Sequence, residues 1–258
     1  APWAERAATT QQALVLPSTM KQNTPLTLRL LLASSFGFLA GYTDMICFTR
    51  HHSMAVMMTG NMLMAGRQMA DSRPWDLFYY LAIIICFMVG VITYRALEIK
   101  FPGRGASKLW VPVVILVLLS EWLDFLTDGS KWLVCFLSPI FGALNSLSGT
   151  GVVSAVSTMA TGHFISCGNR LAKLCMGGWS KDDADNVKMG CTVVASIVLG
   201  IIVGDLVEDA VGKEKHWLFV PLAPAVAGLF LLHDHMASRA TEDAGNSLFI
   251  GSKGYGII

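Results

Sequence analysis

Residues 41–61 read GYTDMICFTRHHSMAVMMTGN and lie within an apolar unit that runs from Leu30 to Gly66. One membrane crossing needs roughly 20 apolar residues as a helix, so this unit is too long for a single crossing. It reads as one full helix followed by a short piece rich in Gly, Ser and Thr, and the unit Trp132–Gly168 has the same design. Each short piece is predicted to be either a second crossing or a half-helix that stays within the membrane.

The composition indicates an integral membrane protein. Charged residues are only 14% of the 258 residues, hydrophobic residues are 53%, and the mean hydropathy is +0.55. An ordinary soluble domain carries about 25% charged residues, so a cytosolic enzyme, a secreted disulfide scaffold and a disordered protein are all disfavoured. The net charge of +1 gives no reason to expect a nucleic-acid partner. We expect the lipid bilayer as the main partner and lipid as a bound molecule.

The spacing of charges predicts an all-α protein with six transmembrane helices. Besides the two long units, the predicted spans are Leu77–Tyr94, Leu109–Leu123, Met189–Gly204 and His216–His233. With six crossings, most Lys and Arg residues fall on the side of the two termini, which is then the inner side, whether matrix, stromal or cytoplasmic. Eight crossings, with both short pieces spanning, would distribute these residues more evenly, so six is preferred.

The chain also resembles itself at a period slightly above one hundred residues. Matching pairs occur in order along both halves: Phe36-Gly37 with Phe141-Gly142, Thr59-Gly60 with Thr161-Gly162, Gly90 with Gly200, and Trp110 with Trp217. We predict a polar N-terminal tail (1–26), a first membrane repeat (27–128), a second membrane repeat (129–235) and a C-terminal tail (236–258). Three crossings per repeat would invert the second copy, and inverted repeats with broken helices are common in transporters.

Two segments carry a family resemblance. The first contains Gly41-Tyr42-Thr43-Asp44, Cys47-Phe48 and Met58-Thr59-Gly60-Asn61, and the second contains Ala143-Leu144-Asn145 and Ser157-Thr158-Met159-Ala160-Thr161-Gly162. Over about residues 27–235 the chain resembles the YoaK-like family of uncharacterised multi-pass membrane proteins. It departs from that pattern by placing His163 where a small hydroxyl residue is usual, and by lacking arginines between Asn145 and Ser157. The resemblance implies a six-helix fold and a transport function, but it does not indicate which substrate is transported.

Polar residues at the two Thr-Gly breaks form the predicted substrate site, which we expect near the membrane midplane with the two turns facing each other. Its members are Asp44, Thr59, Gly60, Asn61, Asn145, Thr161, Gly162 and His163. An ionisable residue within a span usually faces a cavity or a partner. Three structural alternatives remain: Asp44 caps the short helix or pairs with Arg50, the glycines permit close packing of helices, and His163 is a hydrogen-bonded structural residue.

Other polar groups are predicted to be structural. The segment containing Arg50, His51 and His52 is interpreted as an interfacial group that snorkels, although a histidine there could ligate a pigment magnesium. Glu121, Asp124 and Asp128 are expected to form a solvated acidic rim. The clustered methionines after His52 suit gap filling better than Cu(I) binding. The six cysteines form no CxxC pair. No zinc spacing, P-loop or nucleophile elbow appears, so neither a metal site nor an enzyme is predicted.

Two functions fit this pattern. The first is a small-solute transporter or channel with a site between the two Thr-Gly breaks. The alternative is a non-catalytic structural or pigment-holding subunit of a larger photosynthetic or respiratory membrane complex. Such a subunit would lie in an organellar inner or thylakoid membrane, would contact its partners through the tails, and could hold chlorophyll.

Overall fold

The computed structural model of the protein is all-helical over the residues that it describes, which are 24–127, 129–149, 153, 160–212 and 217–252. Within these residues eight α-helices follow one another: α1 (Leu26–His51), α2 (Met58–Ala70), α3 (Pro74–Lys100), α4 (Trp110–Thr127), α5 (Val134–Gly149), α6 (Ala160–Cys175), α7 (Lys181–Val211) and α8 (Leu222–Ser252). Two short 3₁₀ turns, Ala106–Lys108 and Lys131–Leu133, precede α4 and α5. In the first half, the 13-residue α2 follows the 26-residue α1, whereas in the second half α5 and α6 have 16 residues each.

Local sequence explains where the helices begin. Pro74 opens α3 in the first turn, where its missing N–H costs nothing. Ser180 and Asp183 form a reciprocal capping box at the start of α7, which satisfies two backbone N–H groups. His52 adopts a left-handed conformation, with φ of 51°, at the end of α1, and this turn directs the chain into the loop before α2.

The multi-pass membrane character is supported by five helical segments, in the described part of the chain, that are long and apolar enough to cross a bilayer. They are α1, α3, α4, the segment Lys131–Gly149 and α7. Large apolar side chains in the middle of α3, α4 and α7, such as Ile85, Ile115 and Val198, are exposed on the bundle surface. Apolar exposure of this extent is expected where lipid covers the protein. The sixth predicted span falls in α8, which is not one of the five and carries His233-Asp234-His235 partway along.

Glycines fix the two tightest helix crossings. A Cβ added at Gly41 would overlap the carbonyl oxygen of Ile197, and one at Gly200 would overlap that of Phe38, so α1 and α7 touch backbone to backbone. In the same way, Gly90 lies against the carbonyl of Pro139, and Gly142 lies against that of Phe87. Small residues permit this close approach in membranes. The first helix of each half therefore packs on a helix of the other half, α1 on α7 and α5 on α3.

Contacts along each helix pair fix its direction. On α1 and α7, Gly37 lies beside Val193 and Arg50 beside Glu208, so these helices run parallel. The α3–α5 pair is also parallel, because Ser138 and Gly142 contact the carbonyls of Ile83 and Phe87 respectively. The α4–α8 pair is antiparallel. Glu121, near the end of α4, binds backbone N–H groups just before α8, whereas Asp234 of α8 binds the Ser107 N–H before α4.

We expect Gly200→Leu to destabilise the protein by about 1–3 kcal/mol, because the added side chain forces α1 away from α7. Thermal unfolding in detergent, followed by the loss of the monodisperse size-exclusion peak, measures the effect. Gly66→Leu is the matched control, since nothing lies within 4 Å of a Cβ at Gly66. Equal melting of the two variants would contradict the proposed crossing.

Candidate functional site

The break between α1 and α2 is buried inside the bundle. Its loop, residues 52–57, contains Ser53, Ala55 and Val56, all of which are less than 5% exposed. Backbone N–H and C=O groups of a non-helical segment cannot bond to lipid, so they need partners from the protein or from a water-filled cavity. Side chains of four helices supply those partners.

Asp44 of α1 supplies two of them. Its Oδ1 accepts the N–H of Val56 at 2.8 Å, and its Oδ2 accepts the N–H of Met57 at 3.0 Å. These N–H groups immediately precede α2, so the buried carboxylate sits at the positive end of the helix dipole. This is the capping alternative predicted from the sequence. Arg50 pairs instead with Glu208, at 2.9 Å.

Asn61 of α2 holds the loop from the other side. This fully buried side chain accepts the Met54 N–H through Oδ1 at 3.0 Å and donates through Nδ2 to the Met54 carbonyl. The Asn61 amide thus pairs with both the N–H and the carbonyl of Met54, as a neighbouring β-strand would. A Cβ at Gly60 would lie only 2.5 Å from Met54 Sδ, so Gly60 leaves room for the Met54 side chain. Thr59 is exposed.

Side chains from α3 and α5 bind further polar groups of the loop. Tyr80 donates to the His52 carbonyl at 3.0 Å, and Ser138 of α5 donates to the Ala55 carbonyl at 3.3 Å. The hydroxyls of Ser53 and Tyr79 share a 2.6 Å hydrogen bond. Four helices thus contribute hydrogen bonds to one six-residue loop, which fixes the position of the loop within the bundle.

The second break is described only at its edges. Asn145 is half-buried on α5, and its carbonyl accepts the Ser148 hydroxyl at 3.0 Å. Thr161 and Gly162 are exposed in the first turn of α6, and His163 lies beside Gly190 of α7. Residues 154–159, which include Ser157, Thr158 and Met159 of the second signature, lie outside the described residues.

The structure therefore brings together Asp44, Gly60 and Asn61 at one loop and places Thr161, Gly162 and His163 on a different helix pair. The short helix α2 packs on α3, whereas α6 packs on α7. The face-to-face arrangement of the two Thr-Gly turns stays a prediction. Asn145 lies on α5, the helix that also carries Ser138 and so reaches the first loop.

A second polar cluster corrects two predictions. Glu121 and Asp124 are 1% and 7% exposed, so a solvated acidic rim is wrong for these two residues; Asp128 lies outside the described residues. The segment before α8 covers the end of α4, and Glu121 accepts the N–H groups of Trp217, at 2.6 Å, and Phe219. Arg50 is not a snorkelling group either, because its side chain is 9% exposed and paired with Glu208.

A polar cavity of about 410 Å³ adjoins the loop, between the end of α1, α2 and the start of α3. His51 and His52 line one side of it, and Gln68 of α2 and Tyr79 and Tyr80 of α3 line others. The Tyr79 and Tyr80 hydroxyls also bind the loop, so the cavity and the buried break share these two side chains. In the described part of the chain, no group of three or more His, Cys, Asp or Glu side chains could hold a metal ion.

Comparison with known proteins adds a family but no function. The family model described as "Protein of unknown function (DUF1275)" matches residues 32–232. This match confirms the resemblance found from the Asp44 and Met-Thr-Gly-Asn signature, since the YoaK-like family belongs to that group. No curated protein and no solved structure matches the chain.

We expect Asp44→Ala to destabilise the fold by about 2–6 kcal/mol, because it leaves two buried N–H groups unpaired at about 1–3 kcal/mol each. Asp44→Asn should lose less, since its amide oxygen still accepts one bond. Thermal unfolding in detergent measures both, and the exposed carboxylate of Asp205 on α7 provides the matched control, Asp205→Ala. A melting temperature for Asp44→Ala equal to that of the control would exclude the capping role.

Proposed function

Since this chain belongs to the DUF1275 family, whose function is not known, we propose from its geometry that it is a membrane transporter or channel for a small solute. The single observation that carries the proposal is the buried break between α1 and α2, held by Asp44 and Asn61. Non-helical backbone at membrane depth occurs where it is buried in protein or lines a water-filled cavity. Here a polar cavity lies directly beside it.

The helix directions support a six-crossing, inverted arrangement. If α1 runs outward, α3 returns, α4 runs outward and α5 returns, then α7 runs outward and α8 returns, provided that α2 and α6 do not cross. This order requires α1 and α7 to be parallel, α3 and α5 to be parallel, and α4 and α8 to be antiparallel. The contacts within each helix pair give the same directions. In this topology α2 and α6 extend from the breaks towards opposite membrane faces.

The discontinuous helix supplies what a transport site needs. In transporters of inverted-repeat design, half-helix ends lie close to the solute, and the two repeats move against one another. The α1–α2 break shares the discontinuous helix of that design, and an ionisable residue, Asp44, binds the backbone at the start of α2. The sequence-based alternative of a scaffold or pigment-holding subunit depends on the tails, and it remains a prediction.

The topology is tested by labelling with a membrane-impermeant maleimide in sealed vesicles, in a variant whose native cysteines are replaced by serine. Single cysteines are placed at Ser72, in the turn after α2, at Arg104, in the turn after α3, and in a tag before residue 1. We expect Ser72→Cys to label from the side opposite the tag and Arg104→Cys to label from the side of the tag. Labelling in the reverse pattern would show that α2 crosses the membrane.

Transport is tested with the purified full chain in proteoliposomes, by stopped-flow light scattering against a panel of small neutral, anionic and cationic solutes. We expect a flux above that of protein-free liposomes for at least one class, and at least a tenfold loss of that flux in Asp44→Asn, which loosens the break. Asp205→Asn, an exposed carboxylate on α7, should keep the flux. Folded, incorporated protein that moves none of the panel would overturn the proposal.

A further inference from the structure

The turn between α3 and α4 carries positive charge on its surface. Lys100 is the last residue of α3, Lys108 ends the 3₁₀ turn before α4, Arg104 lies between them, and all three are exposed. Over the described ranges, none of the three forms an ion pair. We call residues 100–108 the basic turn. Its cations have no counter-charge from the described part of the protein.

Two carboxylates that reach the basic turn bind its backbone instead of its cations. Glu98 accepts the Gly103 N–H through Oε1 at 3.0 Å, and the buried Asp234 of α8 accepts the Ser107 N–H through Oδ2 at 2.6 Å. Gly103 has a φ of 70°, a conformation that glycine adopts without strain. The acids therefore fix the shape of the turn and leave its positive side chains available to an external anion.

Phe101 brings two of the cations together. Nζ of Lys100 lies 5.5 Å from the centre of the Phe101 ring, and Nζ of Lys108 lies 5.6 Å from the same centre. A ring attracts each ammonium group, but two like charges beside one ring repel each other. An anion that contacts both ammonium groups would relieve this repulsion. The lysine ammonium is a compact point charge that binds phosphate, so the geometry suits a phosphate group.

Apolar side chains adjoin the basic turn. Ile99 at the end of α3, and Trp110 and Val111 at the start of α4, are exposed. Since α3 and α4 are both long and apolar enough to cross a bilayer, the turn joins two spans at one membrane face, where Trp is commonly enriched. A molecule that combines a phosphate with hydrocarbon chains matches both the cations and this apolar surface.

We infer that the basic turn binds an anionic phospholipid, with its phosphate at Lys100 and Lys108 and its acyl chains against the exposed apolar residues of α3 and α4. The inference goes beyond the proposed function, because lipid binding needs no flux. It shares with that function only the topology, which places this turn on the side of the chain termini. The inner leaflet on that side is the one whose anionic lipids attract basic segments.

Binding is measured by native mass spectrometry of the full chain in a neutral detergent, titrated with an equimolar mixture of phosphatidylglycerol and phosphatidylcholine. We expect phosphatidylglycerol to bind at least tenfold more tightly, and inorganic phosphate at the same concentration to leave it bound. Equal binding of the two lipids would overturn the inference. Displacement of phosphatidylglycerol by inorganic phosphate would also overturn it, since the turn would then be a site for a soluble anion.

A pair of double variants distinguishes a lipid site from general attraction of positive charge. Each basic residue near an anionic surface strengthens binding about fivefold, so Lys100→Gln with Lys108→Gln should weaken phosphatidylglycerol binding at least tenfold. Both side chains are exposed, so the melting temperature should not change. The matched control, Lys181→Gln with Lys188→Gln, removes equal charge at exposed positions of α7 and should bind as the parent does. Equal losses in the two double variants would exclude a site at this turn.

Phe101→Leu tests the geometry with the net charge unchanged. It removes the ring that both ammonium groups contact, so we expect phosphatidylglycerol to bind at least threefold more weakly. Affinity equal to that of the parent would contradict a phosphate held between the two lysines.

The outcomes also separate the inference from the proposed function. Phosphatidylglycerol binding that depends on the two lysines, in a chain that moves no solute in proteoliposomes, would support the lipid site and contradict transport. Flux in a chain without preference for phosphatidylglycerol would support transport and contradict the lipid site.

Discussion

The two hydrogen bonds from Asp44 to the backbone before α2 are the constraint on which the rest of the site depends. A chain that stops being helical inside a packed bundle must find partners for the backbone groups that it frees. Asp44 and Asn61 supply them at the loop, with Tyr80 and Ser138 binding carbonyls from α3 and α5. Only because these groups are satisfied can the chain turn into α2 and leave a polar cavity beside it.

The glycine crossings explain why the loop can be enclosed from so many directions. Gly41 and Gly200 let α1 lie on α7, and Gly90 and Gly142 let α3 lie on α5. Each half thus packs a long helix into the other, and the loop of the first half receives a hydrogen bond from Ser138 of the second. The two halves form one packing unit, and the second half adds the Ser138 hydrogen bond to a loop that the first half otherwise holds.

The sequence was sufficient to predict the apolar units, the break near Met-Thr-Gly-Asn and the importance of Asp44, because each depends on local composition. Partners distant in the chain could not be predicted. Glu208 lies 158 residues from Arg50, and no periodicity indicates that pair. Glu121 was misread as solvated because its burial depends on residues 217–219 folding over the end of α4. Gln68 was missed because a polar residue on a short amphipathic helix looks exposed until α3 packs beside it.

The Arg50–Glu208 pair links the break to the helix crossing. A buried ion pair adds little net stability, yet losing one partner is costly because the other charge is left unpaired. Arg50 is therefore constrained to follow α7, and its Nη2 also donates to the carbonyl of Gly212, directly after α7, at 3.3 Å. The next residue, His51, lines the cavity. A shift of α7 relative to the break would thus move a wall of the cavity, so the α1–α7 crossing and the shape of the cavity cannot change independently.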